Sequence, residues 1–323
     1  MERIISESEK DMDKILEAKI EKSKEVLTLA TRMSWEYYNK PLIITYSGGK
    51  DSDVMLDLAV KTLKPDEFEV LNSHTSVDAP ETVYHIREVF AKVRGGGTEC
   101  TIHYPKDKDG NPITMWNLIP KRKMPPTRVA RYCCQVLKET STPNRICAVG
   151  VRASESTGRK GRDFFWVRGK TKAGAAYFSL EHSKEVFEES LERDPIWDCT
   201  LIKTMREHND VIVNPIYEWT DADVWEYIRE NNIKTNPLYE RGYERVGCIG
   251  CPMASYKQMT KEFTDYPKYK EAYLRAFGRM LEQYDDEQKR KKKDWTTPEA
   301  VMDWWMERWK RECKGQMSLF EED

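Results

Sequence analysis

The sequence predicts an α/β protein built on a doubly wound, mostly parallel sheet, with helical additions at its N- and C-terminal ends. Three observations carry that expectation. An apolar run at residues 41–46, PLIITY, ends in a glycine turn and passes into a helical pattern. Short apolar runs recur between further helical stretches, the alternation expected of parallel strands joined by crossover helices. The 323 residues, 39% hydrophobic and 33% charged, suffice for one large core or one core plus a smaller appendage.

Each element follows from its pattern. Residues 1–39 are expected to be an N-terminal helical segment, because Ile15, Leu16, Ile20, Val26, Leu27 and Leu29 recur at roughly helical spacing among charges. Pro41–Tyr46 reads as a buried strand. The following DVMLDLAVKTL places Val54, Leu58 and Leu63 on one helix face. Phe68–Asn72, Glu99–Tyr104 and Ile146–Val151 read as further strands, and Pro80–Val93 as a helix. Residues 107–127 are proline-rich and basic, which predicts a long surface loop. Residues 158–195 mix glycine, basic and aromatic residues irregularly, which predicts an insertion near the mouth of a site. WTDADVWEYIREN at 219–231 reads as a helix capped by Thr220 or Asp221. The expected organisation is a core at 40–258, a Trp-rich helical region at 259–312 and an aperiodic tail at 313–323.

Composition excludes several classes. A formal net charge of −2 does not suit wholesale coating of nucleic acid. No apolar run approaches the roughly 18 residues that a bilayer requires, so no membrane partner is expected. The charged opening MERIISESEKDMDK lacks the apolar stretch of a signal peptide, and a cytoplasmic location is expected. Eight cysteines are too sparse for a disulfide scaffold in a chain this long; the clustered ones read as metal ligands or redox groups.

Ser47-Gly48-Gly49-Lys50-Asp51-Ser52 sits where a strand gives way to a helix. Glycines allow positive φ and close approach of an anion, the helix N-terminus adds a favourable dipole, and Lys50 adds a point charge. A phosphate or sulfate belongs there, although an ordinary strand-to-helix turn could also need two glycines. The loop is not a Walker A sequence. SGGKDS resembles the PP-loop of the adenine nucleotide alpha-hydrolases, a superfamily of PAPS reductases, sulfurtransferases and ATP pyrophosphatases. The resemblance implies an adenine nucleotide at Ser47, Gly48, Gly49, Lys50, Asp51 and Ser52, accompanied by a magnesium ion, with Lys50 and Asp51 catalytic.

Cys133-Cys134 and Cys248-x-x-Cys251 form the cysteine cluster. A CxxC turn can present two thiolates to one metal centre. An adjacent pair fits a single tetrahedral zinc poorly, while a four-iron cube spreads its ligand positions over several ångströms. Structural zinc and unligated thiols remain the alternatives. RYCCQVLK at 131–138 and NPLYERGYERVGCIGCP at 236–252 resemble two blocks of the cluster-bearing adenylyl-sulfate reductases. That resemblance implies a [4Fe–4S] cluster on Cys133, Cys134, Cys248 and Cys251, in one region of the fold, with Lys138 beside it. Cys100, Cys147 and Cys199 lie in apolar surroundings and read as core residues.

Gly150-Val151-Arg152-Ala153-Ser154-Glu155-Ser156 follows a strand and resembles the family's GxRxxES signature. Arg152, with Gly150, is then a second phosphate contact and a catalytic candidate, since a guanidinium can clamp phosphate bidentately; its alternative is a surface ion pair with Glu155. At the end of the second strand, Thr75-Ser76-Val77-Asp78 departs from the reductases' DTG pattern and looks more like the DNA phosphorothioation sulfurtransferases. Asp78 is a nucleotide-contact candidate there. NPIYEWTDADVW at 214–225 also resembles a family block and reads as architectural.

Reductases of this family carry a nucleophilic tail cysteine in an ECGLH-type motif. Here Glu312-Cys313 lacks the Gly-Leu-His continuation, which leaves Cys313 a candidate nucleophile or a bystander. Gln316-Met317-Ser318-Leu319-Phe320 resembles the peptide that replication partners insert into the bacterial sliding clamp. Lys289–Lys293, and Arg159–Lys172 with Phe164, Phe165 and Trp166, could meet DNA or RNA; a solvated helix face and a segment packed on its own core are the alternatives.

Two reactions are implied by the resemblance. One is ATP-dependent sulfur transfer to nucleic acid, with a cysteine desulfurase as sulfur donor. The other is reduction of adenylyl sulfate or PAPS to sulfite, with a thiol reductant. A non-catalytic, nucleotide-sensing adapter of the sliding clamp is the third reading.

Overall fold

A computed structural model describes residues 7–139, 142, 144–155, 159–167, 176–192, 200–207 and 210–317. In chain order the elements are helix α1 (Glu7–Tyr38), strand β1 (Leu42–Thr45), α2 (Lys50–Thr62), β2 (Phe68–Ser73), α3 (Pro80–Gly95), β3 (Glu99–His103), α4 (Met115–Arg122), α5 (Tyr132–Leu137) and β4 (Ile146–Ala148). They continue with β5 (Phe165–Val167), β6 (Ala176–Phe178), α6 (Leu180–Glu192), α7 (Thr200–Arg206), β7 (Val211–Val213) and α8 (Asp221–Glu230). The last are α9 (Tyr256–Asp265), α10 (Pro267–Glu282), α11 (Asp286–Lys291) and α12 (Pro298–Met317). Two compact units result: Met1–Asn72, Glu81–Ile102 and Thr142–Val246 make the first, and Ser73–Pro80, His103–Ser141 and Gly247–Asp323 the second.

The first unit is organised by a sheet of order β3-β2-β1-β4-β7-β5-β6. β1 runs parallel to β2 and β4, and β4 parallel to β7, while β5 and β6 are antiparallel additions at one edge. Strand side chains alternate between faces. Leu42, Ile44, Phe68, Val70, Ile146, Ala148, Val211 and Val213 join the large core made with the helices, whereas Ile43, Cys147 and Ile212 form a smaller cluster. Sequence order runs outward from β1 through β2 to β3 and then resumes on its other side at β4. The switch point therefore lies between β1 and β4, where sheets of this kind bind ligands at the strands' C-terminal ends.

The second unit is helical. α10 packs on α4 and α12, and α9 on α10 and α12. Tyr273, Phe277, Phe263 and Trp305 fill its centre with ring centroids 5.1–6.2 Å apart, and the Trp305 indole donates to the Pro126 carbonyl at 2.8 Å.

Three expectations change. Residues 107–127 do not form a bare loop: α4 lies within them, burying Met115, Leu118, Ile119 and Pro120. Pro120 lacks the N–H that would bond the Trp116 carbonyl one turn back. Arg279 donates to that carbonyl instead, at 2.8 Å. The described part of 158–195 is not an irregular insertion but β5, β6 and α6, because β5 completes hydrogen bonding along β7. Phe164 and Phe165 are core residues, 3% and 0% exposed, and are not available to stack bases. Helix α12 runs through Cys313 to Met317, so the expected tail begins as helix. Among the described residues no helix is long and apolar enough to cross a membrane.

Candidate functional site

The first site is the junction of β1 and α2. Gly48 has φ +75, and a Cβ there would stand 3.0 Å from Ile86 and 3.1 Å from Thr82, so both backbone and space demand glycine. Ser52 organises the turn: its hydroxyl accepts from the Gly49 N–H at 3.2 Å and the Ser47 N–H at 3.3 Å, and donates to the Gly49 carbonyl at 2.7 Å. The Lys50 N–H donates to the Tyr239 hydroxyl at 2.9 Å. Several of the loop's backbone donors are thus engaged within the protein, and its charge-bearing groups are side chains.

Lys50 and Arg152 are those side chains. Both are buried, at 7% and 4% exposure, and both reach the same oxygen of Asp221: Lys50 Nζ at 3.0 Å and Arg152 Nη2 at 3.0 Å. Arg152 Nε stands 2.6 Å from Asp51 Oδ1 as an ion pair outside hydrogen-bond alignment, and Nη1 donates to Ser154 at 3.1 Å. The Glu155 carboxylate accepts from the Arg152 backbone N–H and pairs with Arg159, so the surface pairing of Arg152 with Glu155 is not formed. Gly150 lies against Asp51: a Cβ there would meet its carbonyl carbon at 3.2 Å. The Lys50 ammonium also stands 5.9 Å from the ring centroids of Trp225 and Tyr239, which cross edge to face. Burial alone raises the Asp221 carboxyl; the Lys50 hydrogen bond and the charges of Lys50 and Arg152 outweigh it and hold it below the usual carboxylate range.

Sequence reasoning found Ser47, Gly48, Gly49, Lys50, Asp51, Ser52, Gly150 and Arg152, and the structure brings them together in the first unit. It missed Asp221 as a partner of the cations, and it missed Tyr239 and Asn236 as clamps on the loop. Asn236, 0% exposed, donates to the Gly48 carbonyl at 3.0 Å and to Thr82 at 3.1 Å. The NPLY motif was a visible signal, but its target lies 188 positions away.

The second site lies in the second unit. α5 carries Cys133 and Cys134, and a turn carries Cys248 and Cys251, closed by the Cys251 N–H donating to the Cys248 carbonyl at 3.1 Å. Gly250, at φ +69, shapes that turn; a Cβ there would stand 3.0 Å from Phe263 and Tyr273. Its N–H donates to buried Glu262 at 2.8 Å, and the Tyr273 hydroxyl donates to the Ile249 carbonyl at 2.9 Å. The Cys133 thiol interacts electrostatically with Cys134, Cys248 and Cys251, so the four cysteines share one region. A hydrogen bond shared with Cys133 lowers the Cys134 thiol and raises its partner, while burial raises Cys248.

Cations accompany the thiols. The Arg131 guanidinium stands 3.6 Å from Cys134 Sγ. Lys138 is held in its charged form first by Cys248, then by Asp78, Cys251 and Cys134. Asp78, expected to touch nucleotide, is placed here: it bridges to Cys248 through the backbone, accepts from the Thr75 N–H at 3.0 Å, and has Cys248 Sγ 3.9 Å from its Oδ1. Among the described residues no three His, Cys, Asp or Glu side chains converge as donors to a single ion.

Cys100 and Cys147 are buried core residues, as expected. Cys199, Ser156, the 168–172 part of the basic stretch and Ser318–Phe320 of the clamp-like peptide lie outside the described residues, as does the side chain of Cys313.

A family model, the phosphoadenosine phosphosulfate reductase domain, matches residues 41–254. An uncharacterized protein of Methanocaldococcus jannaschii is 23% identical over 268 residues, 78% of this chain and 44% of that one, so the chain spans under half the length of that relative. An adenosine 5'-phosphosulfate reductase of Anoxybacillus flavithermus is 22% identical over 229 residues, 70% of this chain and 80% of that one. Among solved structures, a U34-tRNA thiolase from Methanococcus maripaludis with its [4Fe–4S] cluster aligns at TM-score 0.38 and 14% identity, covering 80% of this chain and 81% of that one.

Proposed function

Because the chain belongs to the phosphoadenosine phosphosulfate reductase domain family, we propose that it is an ATP-dependent sulfurtransferase bearing a [4Fe–4S] cluster and acting on nucleic acid. One observation carries the nucleotide half of this reading. Lys50 and Arg152 converge within 3.0 Å of a single oxygen at the rim of β1 and β4, the arrangement a phosphate oxygen requires.

ATP phosphates, with a magnesium ion, occupy this position in our reading. An acceptor oxygen attacks the α-phosphorus and pyrophosphate leaves with the bonding electrons. Lys50 and Arg152 hold the charge that develops on the departing oxygens. The terminal sulfur of a persulfide, supplied by a cysteine desulfurase, then attacks the adenylylated centre. AMP departs with the acceptor oxygen, and a thiol reductant releases the thiolated product from the remaining disulfide. The TxVD pattern at Thr75–Asp78, unlike the reductases' DTG, supports nucleic-acid phosphate as acceptor. The clamp-like peptide at Gln316–Phe320 supports delivery by a sliding clamp.

The grouping of the four thiols supports the cluster reading. Four thiols in one region can ligate four irons, and Lys138 and Arg131 offset the negative charge that the thiolates bring. When bound, the cluster supplies one-electron chemistry and a fixed charge field.

Adenylyl-sulfate reduction is the second reading, favoured by the Anoxybacillus relative, of which the chain spans 80%. A product assay on cluster-replete protein separates the two. Pyrophosphate and AMP formed from ATP, with acceptor and persulfide present, support sulfur transfer. Sulfite formed from adenylyl sulfate supports reduction and overturns the first reading. Bound nucleotide with neither product points to an adapter.

A further inference from the structure

We propose that Asp221 is a built-in anion that occupies the phosphate position between Lys50 and Arg152 and so sets the charge an incoming ligand must carry to displace it. The inference rests on the nucleotide reading of this site and goes beyond it by assigning a residue that sets the affinity threshold for anions there.

The geometry supports exchange. One oxygen, Oδ1, lies 3.0 Å from both Lys50 Nζ and Arg152 Nη2. The side chains of those cations are only 9% and 5% exposed, whereas that of Asp221 is 61% exposed. The anion therefore enters from the solvent side, as a phosphate must, and can leave by a side-chain rotation without opening the core. Asp51 faces the other edge of the guanidinium, 2.6 Å from Nε, so Arg152 stays oriented when Asp221 withdraws.

Withdrawal also leaves helix α8 intact. Its N-cap is Thr220, which accepts from the Asp223 N–H at 3.2 Å, while Asp223 accepts from the Thr220 N–H at 2.6 Å and pairs with Lys19 at 2.6 Å. Asp221 takes no part in that cap. Its carboxyl is ionised at neutral pH, and Lys50 and Arg152 hold it below the usual carboxylate range.

A single exposed carboxylate competes well against a weakly charged anion and poorly against a polyphosphate that offers several oxygens at once. Asp221 thus weakens every anion at this position by the same factor, so that only ligands with strong contacts of their own, such as ATP or pyrophosphate, bind at ordinary concentrations. The apparent affinity of each anion is scaled by the fraction of protein with Asp221 withdrawn.

The test is calorimetric titration of the full chain with inorganic phosphate, pyrophosphate and ATP, each with and without magnesium, comparing wild type with Asp221→Asn and Asp221→Glu. We expect Asp221→Asn to tighten inorganic phosphate, pyrophosphate and ATP by a similar factor, about tenfold, and Asp221→Glu to stay near wild type. ATP binding to wild type with equal or weaker binding of every anion to Asp221→Asn overturns the inference and leaves the nucleotide reading standing. Weakening confined to magnesium–ATP also overturns it, since Asp221 then acts as a metal ligand. Failure of every protein to bind any of the three anions overturns both.

Discussion

The side-chain amide of Asn236 donates to the carbonyl oxygen of Gly48 at 3.0 Å, tying the NPLY segment to the crest of the glycine turn. Its carbonyl oxygen accepts from the Leu238 N–H at 3.1 Å, which orients the amide. The same amide donates to the Thr82 hydroxyl at 3.1 Å, so one side chain ties the turn to helix α3.

Asn236→Ala should therefore strand the Gly48 carbonyl and the Thr82 hydroxyl in a buried setting. We expect a loss of about 2 kcal/mol in denaturant unfolding. ATP affinity should fall further than that of a core-packing variant of equal stability, because the loop itself is released. Equal affinity in two such variants contradicts this account of the clamp.

Pro120 and Arg279 form a second testable pair. Arg279→Met should destabilise the chain by about 1 kcal/mol, and Pro120→Ala in that background should recover part of the loss by returning an N–H to the Trp116 carbonyl. A double-mutant cycle in urea reads the coupling directly; strictly additive effects argue against it.

These two relationships also mark where the sequence was legible and where it was not. β1, the SGGKDS turn and α2 are local: a buried run, two glycines and a helical period follow one another without interruption. α4 was hidden because Pro120 breaks the local helix rule, and its remedy, Arg279, stands far along the chain. β5 and β6 are three residues each and exist as strands only because β7 offers an edge. The grouping of the four cysteines was readable from two short motifs, whereas the contact of Asp78 with Cys248, 170 positions away, was not. Asp221 looked like a helix cap, since nothing local reveals that Lys50 and Arg152 reach it.

Acid pH should weaken the start of α8. Burial raises the Asp223 carboxyl, but the Lys19 hydrogen bond and the Thr220 backbone bond hold it below its ordinary value. A depressed folded value contributes stability that is complete above the unfolded value, about 4, and is lost as pH falls through the lower folded one. Asp223→Asn should cost about 1 kcal/mol at neutral pH. The gap from wild type should close below about pH 4 in urea titrations. A gap that persists at pH 2 contradicts the assignment.

On the proposed cluster reading, Lys138 should tune the cluster without holding it. Lys138→Met should retain iron and sulfide at wild-type stoichiometry while shifting the reduction potential to more negative values, because a cation beside the thiols is removed. Cys248→Ser should instead lower iron content. A redox titration followed by electron paramagnetic resonance distinguishes these outcomes, and an unchanged potential in Lys138→Met speaks against the placement.

The most direct test of the phosphate site is equilibrium binding of ATP to wild type and to Arg152→Met, with near-native unfolding of the variant confirmed in parallel. We predict one ATP per wild-type chain and at least a tenfold loss of affinity on removing a buried, charge-assisted contact, about 1.5–3 kcal/mol. Undiminished binding to folded Arg152→Met places the nucleotide elsewhere and contradicts the account.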